Sequence, residues 1–170
     1  MPLKRRNGEL KDFFRLIKGK NSQGLNDFLD RNPHYDLNQT DNLGVTGLIY
    51  AARNGSFDIA KILLTSGANP NCLDSAGKKA RAIARSQGND FIAVILQIAE
   101  EFHAMDEEAR KKRLKLNLTE AEPSFFEIDL LVSLLPKEAL SQLRDEDGNT
   151  LVNLAILHRD EVLLGNLLAK

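Results

Sequence analysis

The chain has 170 residues, of which 42% are hydrophobic and 28% charged, with a formal net charge of −1. That length suits one compact domain or a short repeat array, and the near-neutral balance gives no global attraction to nucleic acid or anionic membrane. A single cysteine, Cys72, excludes an internal disulfide framework and fits a reducing compartment. No apolar run approaches the roughly 18 residues of a membrane helix, and the basic start MPLKRRNGELKDFF lacks the apolar core of a secretion signal.

Sliding the chain against itself by 33 residues superimposes Asp41 on Asp74, Gly44 on Gly77, Ala51 on Ala84 and Gly55 on Gly88. Ile59, Ala60, Ile62 and Leu63 fall on Ile92, Ala93, Ile95 and Leu96. The matches concentrate at turns and on apolar helix faces, the signature of a structural repeat.

In chain order, residues 9–40 read as a degenerate leading repeat. Leu10, Phe13, Phe14 and Ile17 form one helical stripe, and Leu25, Phe28 and Leu29 form another. Lys11, Arg15 and Lys18 lie between the apolar positions, as a solvent-facing cap requires. Residues 41–73 are the clearest copy. Thr46 caps a helix, Leu48, Ala51 and Ala52 give it a small apolar face, and Gly55 breaks the chain. Phe57, Ile59, Ala60, Ile62, Leu63 and Leu64 then make a dense stripe that ends at Gly67.

Residues 74–106 repeat this plan with Lys79 and Arg81 at positions that call for a cap and a core residue. Arg81 must therefore reach water or find a carboxylate, because an unpaired buried charge is costly. From Gly77 to Gly148 is 71 residues, two periods plus five, so 107–144 reads as a divergent repeat with a short insertion. Its helices are expected over 124–135, after Pro123, and over 137–143. Residues 145–170 restart the pattern with Asp145, Gly148 and Thr150 and form a final or partial repeat. Either the second helix of that repeat is the natural cap or the chain is part of a longer array or protein, and the leucine-rich end, Leu163 to Leu168, leans toward the second.

The stretch DNLGVTGLIYAARNGSFDIAKILLTSGANPNCLD, residues 41–74, closely resembles an ankyrin repeat in motif and period. Thr46-Gly47-Leu48-Ile49 stands where that family has Thr-Pro-Leu-His, and Gly67-Ala68-Asn69-Pro70-Asn71 matches its closing loop. The resemblance implies an all-α ankyrin-repeat solenoid of stacked helix-turn-helix units with hairpin loops, spanning 1–170 as one domain. It also implies a non-catalytic adaptor that binds another protein on its concave hairpin and inner-helix face, with no cofactor. The short, interrupted array is similar to ankyrin effectors that bacteria deliver into host cells, which would place it in the host cytosol or nucleus. Otherwise the cytoplasm is expected. The competing reading is a regulatory or targeting segment of a larger enzyme.

Family positions that vary with the partner map onto Asn42, Leu43, Val45, Tyr50 and Arg53 in the best repeat. In the next they include Leu73, Ser75 and Lys78, and Arg81 joins them through its departure from the pattern. Leu43, Val45, Tyr50 and Leu73 are expected to face solvent as the apolar centre of the site; the alternative weighed against this is that Leu43 and Val45 pack between adjacent hairpins. Lys78, Lys79, Arg81 and Arg85 could form a basic pocket. His34, His103 and His158 fall in different repeats, so neither a catalytic dyad nor a metal cluster is expected. No small-molecule substrate is expected. The basic runs Lys4 to Arg6 and Arg110 to Lys115 are read as solvated rather than as nucleic-acid contacts. Residues 118–170 hold ten acidic side chains against four basic, which predicts charge polarisation along the array.

Overall fold

The structure, a computed structural model, describes residues 3–119, 125–135, 140, 141, 143, 148 and 150. Most of the expected 137–143 helix and nearly all of 145–170 lie outside them. The chain divides into two compact units, Met1–Glu100 and Glu101–Lys170. The described helices are α1 (Leu3–Lys18), α2 (Ser22–Arg31), α3 (Gly47–Asn54), α4 (Phe57–Thr65), α5 (Ala80–Ser86), α6 (Asp90–Ala104), α7 (Glu107–Thr119) and α8 (Phe125–Leu134). None of them is long and apolar enough to cross a membrane.

In the first unit the 33-residue period is visible element by element. Helices α3 and α5 begin 33 residues apart, as do α4 and α6. A hairpin precedes each inner helix, closed by the bridges Thr40 to Thr46 and Leu73 to Lys79. At each tip an aspartate organises the turn. The Asp41 Oδ1 accepts from the amides of Leu43 (2.9 Å) and Val45 (3.1 Å), and Asp74 Oδ1 accepts from Ala76 (2.9 Å) and Lys78 (2.9 Å). Gly44 and Gly77 complete these turns at φ 71° and 73°, a region that side chains with a Cβ rarely adopt.

Thr46 caps α3, its hydroxyl accepting from the Ile49 amide at 3.3 Å. Lys79, its counterpart before α5, makes no such cap, and its ammonium donates to Asn71 Oδ1 at 2.7 Å instead. Inner helices stack α1 on α3 on α5, and α2 packs on α4. Gly47 permits the first of these approaches, since a Cβ there would sit 2.6 Å from Ile17 Cδ1 and 3.0 Å from the Phe13 ring.

Phe13, Ile17, Leu25, Ile49, Ile59, Leu63, Leu64 and Leu96 form the fully buried core, with Ala51 and Ala52 keeping the helices close. Polar side chains stitch successive repeats at their loops. Lys20 Nζ donates to the Asn54 carbonyl (2.9 Å), Asn89 Nδ2 to the Ala52 carbonyl (2.8 Å), and the Asn69 amide to Asn38 Oδ1 (2.8 Å). Each satisfies a helix-end or loop group that would otherwise lack a partner.

In the second unit α7 packs against α8. The expected helix over 124–135 is observed as α8, and its consecutive buried residues Leu130, Leu131 and Val132 show it enclosed on more than one face. Arg110 ties helix ends together by donating to the carbonyls of Phe102 (3.0 Å), His103 (3.2 Å) and Leu134 (3.3 Å). Arg113 pairs with Glu127 (2.8 Å), and Lys111 with Glu107 (2.7 Å) and Glu108 (2.9 Å). Arg110, Lys111 and Arg113 of the basic run are thus engaged within the unit, while Lys112 remains exposed.

Candidate partner-binding surface

The two leucines of the hairpins stay in water. Leu43 at the first tip is 66% exposed and Leu73 on the flank of the second is 54% exposed. Val45, two residues from Leu43, turns inward and is only 4% exposed. Tyr50, expected to face solvent, is 9% exposed. Its hydroxyl donates to Asp41 Oδ2 at 2.6 Å, which explains the inward turn: the ring packs and the polar end finds a carboxylate.

Lys18 and Arg53 flank that ring. The Lys18 ammonium lies 4.4 Å from the Tyr50 centroid, 5.7 Å from that of Phe14 and 3.6 Å from Asp41 Oδ2. The Arg53 guanidinium is 5.6 Å from the Tyr50 centroid and remains exposed. Burial pushes the Asp41 carboxyl up, but the Tyr50 hydroxyl, the Leu43 and Val45 amides and the Lys18 charge together hold it below the ordinary carboxylate value.

Beside this cluster runs a groove of about 750 Å³, lined by Leu10, Lys11, Phe14, Arg15 and Lys18 of α1 and by Asp41, Asn42 and Leu43 of the first hairpin. The α1 side of it was not among the sequence-predicted site residues. Its signal lay in the spacing of Lys11, Arg15 and Lys18, four and three residues apart on one helix face. Arg15 also pairs with the exposed Asp12 at 2.9 Å.

The remaining predicted residues separate. Ser75 and Lys78 are exposed on the second hairpin. Arg81 does find a carboxylate, its Nε lying 3.0 Å from Glu100 Oε2, so it joins α5 to α6. With Lys79 on Asn71 and Arg85 on Gln97 (3.3 Å), three of the four basic residues have different partners and Lys78 is exposed, so the expected basic pocket is not formed. On the second helices of the repeats, Phe91 (84% exposed) and Val94 occupy the positions held one period earlier by Asp58 and Lys61.

No group of three metal-ligating side chains occurs among the described residues. His34 and His103 belong to different units, and His158 lies outside the described residues. Burial, followed by the Arg110 charge, lowers the His103 pKa and favours its neutral imidazole. Burial and the Asp36 carboxylate push the Cys72 thiol up, opposite to what a nucleophile requires.

Residues 29–84 match the family model for ankyrin repeats (many copies). No curated protein matches the chain.

Proposed function

We propose, from the premise that residues 29–84 are ankyrin repeats forming an all-α stack, that the protein acts by binding a partner protein and not by catalysis. Ankyrin repeats generally mediate protein–protein interactions. The finer reading is that the partner docks on the first hairpin and inner-helix face, across Leu43, Asn42, Arg53 and the α1 groove, and extends to Leu73, Ser75 and Lys78.

The observation that carries this reading is the exposure of Leu43 and Leu73 on successive hairpins. Fully burying one leucine is worth roughly 1.5–3 kcal/mol, so two exposed leucines on successive hairpins, of which Leu43 lines the groove, suit the apolar centre of an interface with a polar rim. Val45 and Tyr50 support the surface from within, and Arg81 is taken up by Glu100. The repeat boundaries 74–106, 107–144 and 145–170 are likewise part of the proposal. Delivery into a host cell has no support in these observations and is not part of it.

The test is affinity capture from cell lysate with the wild type and with Leu43→Glu/Leu73→Glu, the variant being verified as folded by circular dichroism. Proteins held by the wild type and lost by the folded variant are the expected result. An identical catch from both refutes docking on the hairpin leucines.

A further inference from the structure

We infer that the groove between α1 and the first hairpin receives a short acidic segment of a partner protein, anchored by a large apolar side chain against Leu43. This deepens the proposed docking face and rests on it.

The inner and second helices of the repeats are sorted by charge. Helices α1, α3 and α5 together carry nine basic residues and two acidic ones, whereas α2, α4 and α6 carry two basic and six acidic. Among the described residues that line the groove, Lys11, Arg15 and Lys18 face a single acid, Asp41, in a chain whose net charge is −1. Within the groove, Lys11 has no ion-pair partner among the described residues, and Arg15 has only the exposed Asp12 at 2.9 Å. The one acid lining it, Asp41, already accepts from the Tyr50 hydroxyl and lies 3.6 Å from Lys18, so its charge is largely answered inside the protein. Lys11 and Arg15 thus offer cations to a ligand, and Leu43 offers apolar surface beside them.

That combination selects a peptide over a nucleic acid. Bases need an open aromatic face to stack on, and the nearby rings of Phe14 and Tyr50 are buried beneath Lys18 and the hairpin.

The experiment pans a phage-displayed random dodecapeptide library on the full chain, then measures synthetic copies of the enriched peptides by fluorescence polarisation. A single-stranded oligonucleotide serves as a second probe. Lys11→Glu/Arg15→Glu and Leu43→Ser are compared with the wild type, since all three side chains are exposed and outside the core. We expect enriched peptides with net negative charge and a large apolar residue. Their affinity should fall by about tenfold or more in the charge-reversed variant and weaken as salt rises from about 50 to 300 mM. Leu43→Ser should weaken the same peptides. Enriched peptides that are neutral or basic yet lose binding in Leu43→Ser overturn the acidic-segment inference and leave the docking face standing. No enrichment, or peptides indifferent to all three substitutions, overturns it too. So does tighter binding of the oligonucleotide than of any peptide through Lys11 and Arg15.

Discussion

The Asp41 carboxylate accepts from two amides of its own turn and from the Tyr50 hydroxyl, whereas Asp74 accepts from two amides alone. The shared part is local and was legible, because an aspartate three residues before a glycine is a turn-former by itself. The Tyr50 contact was not legible, since nine residues and a helix start separate the two groups. Asp74→Ala should cost about 1–2 kcal/mol and Asp41→Ala about 1 kcal/mol more, read from urea unfolding at pH 7. The excess has a defined pH dependence. Asp41 is held below its unfolded value of about 3.9, so its contribution is fully present above that pH and is lost as pH falls through the lower folded value. Equal costs for the two substitutions at pH 7 would contradict the role given to Tyr50.

At the scale of elements, α5 is the helix whose sequence departs furthest from its repeat. It has seven residues, no side-chain cap at Lys79, and an arginine where a leucine is called for. The Arg81–Glu100 pair compensates by joining α5 to α6, but Glu100 Oε1 remains buried with no hydrogen-bond partner among the described residues. Arg81→Leu should destabilise by about 1–3 kcal/mol, less than a fully buried pair because the arginine is a third exposed. Arg81→Leu/Glu100→Leu should return to within about 1 kcal/mol of wild type or exceed it. A double variant no better than the single one would show that the pair is not what offsets the departure. Helix α7 is the element sequence reasoning did not separate. Its apolar residues Leu114, Leu116 and Leu118 alternate and make no helical stripe, so periodicity gave no signal for it.

For the first unit as a whole, stability is a chain of neighbour contacts, since α3 touches both α1 and α5 while α1 and α2 close one end. Leu63, fully buried in the middle repeat, should cost about 2–5 kcal/mol on change to alanine and lower hydrogen-exchange protection throughout α1 to α5. Phe28 packs on Phe13 (5.9 Å) and Tyr35 (5.0 Å) within the leading repeat. Phe28→Ala should therefore lower protection mainly in α1 and α2. Uniform loss from both substitutions would show a single cooperative block rather than a chain of coupled repeats.

The sequence by itself determined the period, the turn glycines, the cap at Thr46 and the inward stripes of α3, α4 and α6, except that Phe57, read as the start of the α4 stripe, is 41% exposed. Those features follow from contacts within a few residues and from the helical repeat, so each copy reports them independently. Only the tertiary structure decided which hairpin side chains meet water. Leu43 and Val45 are two residues apart and chemically alike, yet one is exposed and the other buried. The carboxylate under Arg81, nineteen residues on, and the α1 wall of the groove, some thirty residues before its hairpin, were decided in the same way. Burial depends on neighbours brought together by packing, and local sequence pattern does not carry that information.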